Sequence, residues 1–115
     1  MTSVVPARPE HFRIPPAQTV RAVTVLEDDA VLGVAGFYRD LDRLVMFVEV
    51  HDPKGWQCKR AVIKACRALL GAAAKTRLPV HALADPAVEA SERFLTHLGF
   101  RQLQGRIFQL EAGRD

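Results

Sequence analysis

The amino-acid sequence predicts an α+β domain on one mixed sheet, an antiparallel meander followed by β-α-β-α-β, with helices on both faces. Three observations carry this expectation. Runs rich in β-branched residues follow one another between residues 19 and 50, separated only by short polar turns. A helical apolar stripe then precedes a fourth run, and a crossover of that length joins parallel strands. A second helical stripe ends on Leu98-Gly99 and leads into two further short runs.

The first 18 residues contain four prolines, Pro6, Pro9, Pro15 and Pro16. Proline removes backbone donors and disfavours helix at the residue before it. Residues 1–18 therefore read as an extended proline-rich arm with one short strand near Val4 and Val5, and residues 19–115 as a single domain. From Thr19, the positions Val20, Ala22, Thr24 and Leu26 alternate with Arg21, Val23 and Val25 as a strand does. Glu27-Asp28-Asp29 makes a polar turn. The second strand, residues 30–39, carries Gly33 and Gly36, which signal a bulge or a close backbone approach. After Asp40-Leu41-Asp42 the third strand runs over residues 43–50. It is apolar on both faces, as a central strand covered from both sides must be.

His51-Asp52-Pro53-Lys54-Gly55 breaks the strand, and a helix begins near Trp56 or Gln57. Val62, Cys66, Leu69, Leu70 and Ala73 recur at helical spacing until the pattern fades at 75–77. A short strand over 78–84 follows. Asp85-Pro86 is a helix start, a capping carboxylate before proline at the first helical position. Val88, Ser91, Leu95 and Leu98 line one face, with Phe94 beside them, and Gly99 closes the helix. Residues 100–103 and 106–110 complete the pattern as strands.

Composition limits the function classes. With 115 residues, 49% hydrophobic and 25% charged, the chain has enough apolar surface to fold as one domain. Sixteen basic against 13 acidic residues leave a net charge of +3. That charge is scattered rather than striped, which argues against nucleic acid as the partner. No apolar run approaches the roughly 20 residues of a membrane span, and the start lacks a signal-like apolar core. The expected location is cytoplasmic. Cys58 and Cys66 stand eight residues apart in the expected helix. That is about 12 Å along its axis, too far for the roughly 7 Å of a disulfide. His11, His51, His81 and His97 share no ligand spacing with the cysteines, so no metal is expected. Ser91 sits in no Gly-x-Ser-x-Gly elbow. Trp56, beside Lys54, Lys59 and Arg60, reads either as a stacking platform for a base or as a cap on the core.

The element order, together with Ser91-Glu92-Arg93-Phe94-Leu95-Thr96-His97-Leu98-Gly99-Phe100, resembles the GNAT superfamily of N-acetyltransferases over residues 19–110. The closing helix of that family carries an aromatic pair and ends in leucine-glycine-phenylalanine. The resemblance implies acetyl-CoA bound where the third strand of the meander splays from the strand after the crossover helix. The backbone of Val48 and Val50 would pair with the pantetheine arm there. The pyrophosphate would rest on amides at the start of the crossover helix, where unpaired N–H groups favour anions. The family pattern there is Gln or Arg, two residues, Gly, one residue, then Gly or Ala. The nearest register here is Gln57-Cys58-Lys59-Arg60-Ala61-Val62. Gln57 fits, whereas Arg60 replaces the glycine and Val62 a small residue. A second register on Lys54-Gly55 puts Gln57 at a glycine position. Lys59 and Arg60 either pair with phosphate directly or form the solvated face of the helix.

The same resemblance makes Glu49 the candidate general base. The plainer alternative is a strand-end carboxylate that reaches water or an arginine. His51 reaches the same cleft by sequence and is a second candidate for moving a proton there, or is structural. Leu95 stands where the family often has a proton-donating tyrosine, and Tyr38, the single tyrosine, reads as a packing residue. Family members place two helices before the meander to wall the acceptor pocket, and this chain has only the arm. The first strand is then left uncovered, so the sequence predicts a homo-oligomer or protein partner through residues 19–26 or the arm. The Arg8-Pro9 arm ahead of Phe12, with tryptophan and basic residues opening the crossover helix, also resembles GNAT-like bacteriophage proteins, including an internal virion protein family. That likeness implies a non-catalytic assembly or binding role, virion-associated. The two functional expectations are thus an acyl-CoA-dependent N-acetyltransferase acting on an amine and a GNAT-fold assembly protein without catalysis.

Overall fold

The computed structural model describes residues 1–13, 16–52, 60–83, 91–105 and 107–110. Its strands are β1 (Thr2–Pro6), β2 (Arg21–Glu27), β3 (Ala30–Asp40), β4 (Arg43–Val50), β5 (Val80–Leu83), β6 (Arg101–Gln104) and β7 (Ile107–Leu110). The helices are α1 (Arg60–Ala74) and α2 (Ser91–His97), and Pro9–His11 forms a 3-10 turn. The seven strands make one sheet in the order β1-β2-β3-β4-β5-β7-β6. Every neighbouring pair is antiparallel except β4 with β5. The meander, the mixed sheet and the central position of β4 are as the sequence predicts. The helix start at Trp56 or Gln57, Cys58, and the Asp85-Pro86 cap with Val88 lie outside the described residues.

Both glycine signals in β3 have a physical cause. The β2–β3 register slips between Val25 and Leu26, opposite Gly33. Gly36 pairs with Ala22, and a Cβ on it would stand 2.5 Å from the Ala22 Cβ and 2.5 Å from the Arg21 carbonyl oxygen. The expected turns sit at Asp28 and Leu41, both with φ near +55° to +58°. Gly99, at φ 101°, ends α2 in a Schellman arrangement. Phe100 N–H donates to the Leu95 carbonyl and Gly99 N–H to that of Thr96, each at 3.0 Å.

Strand registers sort the side chains into two faces. Val23, Val25, Ala35, Phe37, Leu44, Met46, Val48, Val50, Val80, Ala82, Phe108 and Leu110 share the first. All twelve belong to or pack against one core with Val62, Cys66, Leu69, Leu70 and Ala73 of α1 and Leu95 and Leu98 of α2. The described helices therefore lie on one face, where the sequence placed them on both. The reason is handedness. β4 to β5 and β5 to β6 are parallel steps in the same direction along the sheet. Two right-handed crossovers in one direction put both helices on the same side.

The second face, with Thr24, Val34, Tyr38, Phe47 and Glu49, takes its cover from the N-terminal segment. The Phe12 ring lies 6.2 Å from Phe47, and Tyr38 lies 6.4 Å from it. Thr24 is fully buried, its hydroxyl 2.7 Å from His11 Nδ1. The strand expected near Val4 and Val5 is β1, and it alters the association surface. β1 pairs along β2 from Thr2↔Glu27 to Pro6↔Val23. The edge of residues 19–26, expected to be open to a partner, is therefore occupied by the chain itself.

Two outcomes test this packing. Gly36→Ala should lower stability by about 1–3 kcal/mol in urea melts, the usual penalty of forcing a methyl into a filled space. An unchanged midpoint would contradict the close approach of β2 and β3. Burial pushes the Cys66 thiol up from 9.0 to about 12, because the thiolate would lose its hydration. The folded state holds this proton more tightly than the unfolded chain. Its contribution is full below about pH 9 and declines as pH rises toward 12. In a Cys58→Ser background the Cys66 thiol should resist iodoacetamide until the protein is denatured.

Candidate functional site

The parallel pairing of β4 and β5 is short. It runs from Leu44↔Val80 to Met46↔Ala82, while β4 continues to Val50 against β3. Leu44 N–H donates to the Pro79 carbonyl at 2.8 Å, and His51 N–H to that of Leu32 at 2.8 Å. Backbone direction alternates along a strand, so even-numbered residues of β4 turn their polar groups toward β5 and odd-numbered ones toward β3. Val48 and Val50 accordingly present N–H and C=O to the β5 side beyond the point where its pairing stops. Among the described residues the β4–β5 ladder thus stops short of Val48 and Val50, and the wedge beyond Met46↔Ala82 is bordered on the β4 side by backbone donors and acceptors.

Glu49 sits between those two valines and points to the opposite face. Its Oε2 accepts from His51 Nε2 at 2.7 Å, with about a fifth to a quarter of each side chain exposed. Arg13 N–H donates to both carboxylate oxygens, at 3.2 and 3.1 Å. These bonds fix the direction of the carboxylate. Glu49 borders a hollow of about 210 Å³ with Phe12, Pro16, Gln18, Val20, Tyr38 and Phe47. A carboxylate in such a hollow, oriented by a histidine and surrounded by rings, can hold an ammonium group or take its proton.

The phosphate-loop candidates are less gathered. Gln57 and Lys59 lie outside the described residues. Arg60 is exposed, Ala61 is half-buried, and the Val62 side chain is fully buried in the core. Only the backbone of Val62 is therefore available to a ligand. Leu95 is likewise buried, 5% exposed, and contributes to the core rather than to the wedge. Among the described residues no cluster of His, Cys, Asp or Glu could hold a metal ion, and no helix is long and apolar enough to cross a membrane.

This arrangement matches solved structures of acetyltransferases. An N-acetyltransferase from Staphylococcus aureus Mu50 superposes with a TM-score of 0.66 at 14% identity, covering 96% of this chain and 98% of that one. The ribosomal-protein-S18-alanine N-acetyltransferase from Escherichia coli gives 0.62 at 13%, covering 95% and 90%. A GNAT-family acetyltransferase from S. aureus Mu50 gives 0.63 at 13%, covering 83% and 68%. The fold is the GNAT fold. No family model and no curated protein matches the chain by sequence.

Within this GNAT fold the sequence pointed to Glu49 and to His51 separately but missed their hydrogen bond and what surrounds it. Tyr38 read as packing, and it packs, yet it also lines the hollow that Glu49 borders. The Arg13 amide carries no side-chain signal. If Arg13 is held by Glu49, Glu49→Gln should speed hydrogen exchange of the Arg13 amide about tenfold, the worth of trading a charged for a neutral acceptor. An unaltered rate would mean that something else anchors the segment.

Proposed function

We propose that the protein is an acyl-CoA-dependent N-acetyltransferase, with the wedge between β4 and β5 as its acetyl-CoA cleft. The observation that carries this reading is the early end of the β4–β5 pairing beside the Glu49–His51 pair. Val48 and Val50 offer alternating backbone donors and acceptors, which suits the amides of a pantetheine arm. Gln57, Lys59, Arg60, Ala61 and Val62 would hold the pyrophosphate, the last two through backbone amides and Arg60 through its exposed guanidinium. Acetyl-CoA would supply an acetyl group activated as a thioester.

The chain's own residues do the rest. Glu49 takes a proton from the acceptor ammonium, and the freed nitrogen lone pair is the nucleophile that acyl transfer requires. His51 Nε2 holds Oε2, so Glu49 presents its remaining lone pairs to the hollow. Phe12, Tyr38 and Phe47 keep water from crowding the amine and lower the dielectric around the carboxylate.

A second reading is favoured by one observation. Glu49 already accepts hydrogen bonds from Arg13 and His51, as a purely structural pin for the N-terminal segment would. On that reading the chain is a non-catalytic GNAT-fold assembly protein, virion-associated as the bacteriophage resemblance implies. Its contacts would run through the free edge of β1.

Calorimetric titration with acetyl-CoA separates the two. The enzyme reading expects saturable binding, weakened by about 1.5–3 kcal/mol in Arg60→Ala. It also expects release of free CoA thiol in the presence of primary amines, reduced about 10²–10⁴-fold in Glu49→Gln with binding intact. Absence of binding at millimolar ligand would leave the assembly reading.

A further inference from the structure

A hollow of about 490 Å³ lies between the second half of α1 and the end of α2. It is separate from the cleft. Gly71, in its wall, stands about 16 Å along α1 from Arg60 at 1.5 Å per residue. Its rim is basic: an Arg67 guanidinium nitrogen approaches His97 Nε2 at 3.5 Å. Arg67 uses one donor of its planar fork on His97 and retains others. Leu70, Ala74, Leu98 and Leu110 supply the apolar part of its lining, and no carboxylate lines it among the described residues.

Gly71 supplies an independent reason to expect an occupant. It sits in the middle of α1, where glycine is less stable than alanine. Among the described residues nothing crowds it, since a Cβ there would meet no atom within 4 Å. The residue that weakens the helix is the one that keeps this hollow open.

We propose that the hollow binds a small amphipathic carboxylate. Its head would rest on Arg67 and His97, and its apolar body would lie past Gly71 over Leu70, Ala74 and Leu98. One guanidinium beside one imidazole balances a single negative charge, and the apolar floor rewards a ligand whose remainder is hydrocarbon. The volume falls in the range of small-molecule pockets, about 300–1,000 Å³.

Octanoate and octylamine, equal in length and opposite in charge, are the probes, followed by amide chemical shifts and calorimetry on the full chain. Octanoate should bind saturably at millimolar concentration or below and shift the amides of residues 67–74, 97–99 and 110, and acetyl-CoA should not displace it. Arg67→Ala, at an exposed position, should weaken it about tenfold. Gly71→Leu should fill the hollow and abolish saturation while the melting temperature stays the same or rises. Equal shifts from octylamine, an unchanged affinity in Arg67→Ala, displacement by acetyl-CoA, or no saturation by octanoate would each overturn the proposal.

Discussion

The parallel contact between β4 and β5, over Leu44–Met46 and Val80–Ala82, is the constraint on which the rest of the molecule depends. A parallel pair demands a crossover, and the amphipathic α1 is its described part. Because the next crossover continues in the same direction, α2 joins α1 on one face, and a single core forms between them and the sheet. The same contact is brief. Where it stops, β4 turns the backbone polar groups of Val48 and Val50 to its β5 side, beyond the described ladder.

Placing both helices on one face leaves the other to be covered by whatever remains of the chain. Here that is the N-terminal segment, which pairs as β1, turns at Pro9–His11 and lays Phe12 against Phe47. Such thin cover needs polar fixing points, and among the described residues Thr24 with His11 and Glu49 with the Arg13 amide serve as such. Glu49 therefore has a structural duty and a chemical opportunity at once. Its anchoring bonds orient the carboxylate, and the rings around it create the partly desolvated hollow in which such a group is useful.

The helix α1 shows how one element divides its faces. Toward the sheet, Cys66 is so enclosed that its thiol is pushed up to about 12 and acts as a small apolar side chain. Toward solvent, Arg67 and Gly71 open a basic-rimmed hollow against the end of α2. The core side is filled and inert, while the outer side keeps space and charge.

By itself the sequence determined the order and type of the elements, since these follow from local periodicity and turn chemistry. The two-faced strand over residues 43–50, the stripe from Val62 to Ala73, and the Leu98-Gly99-Phe100 stop were all legible for that reason. Glu49 and His51 were each legible as candidates, but their hydrogen bond was not. Only the tertiary structure decided which face each helix covers, that β1 closes the β2 edge, and where the β4–β5 ladder ends. These depend on crossover handedness and on contacts between residues far apart in the chain. Arg13 illustrates the limit most directly. It reaches Glu49 across 36 positions through a backbone N–H, a group every residue but proline possesses and no side-chain pattern can reveal.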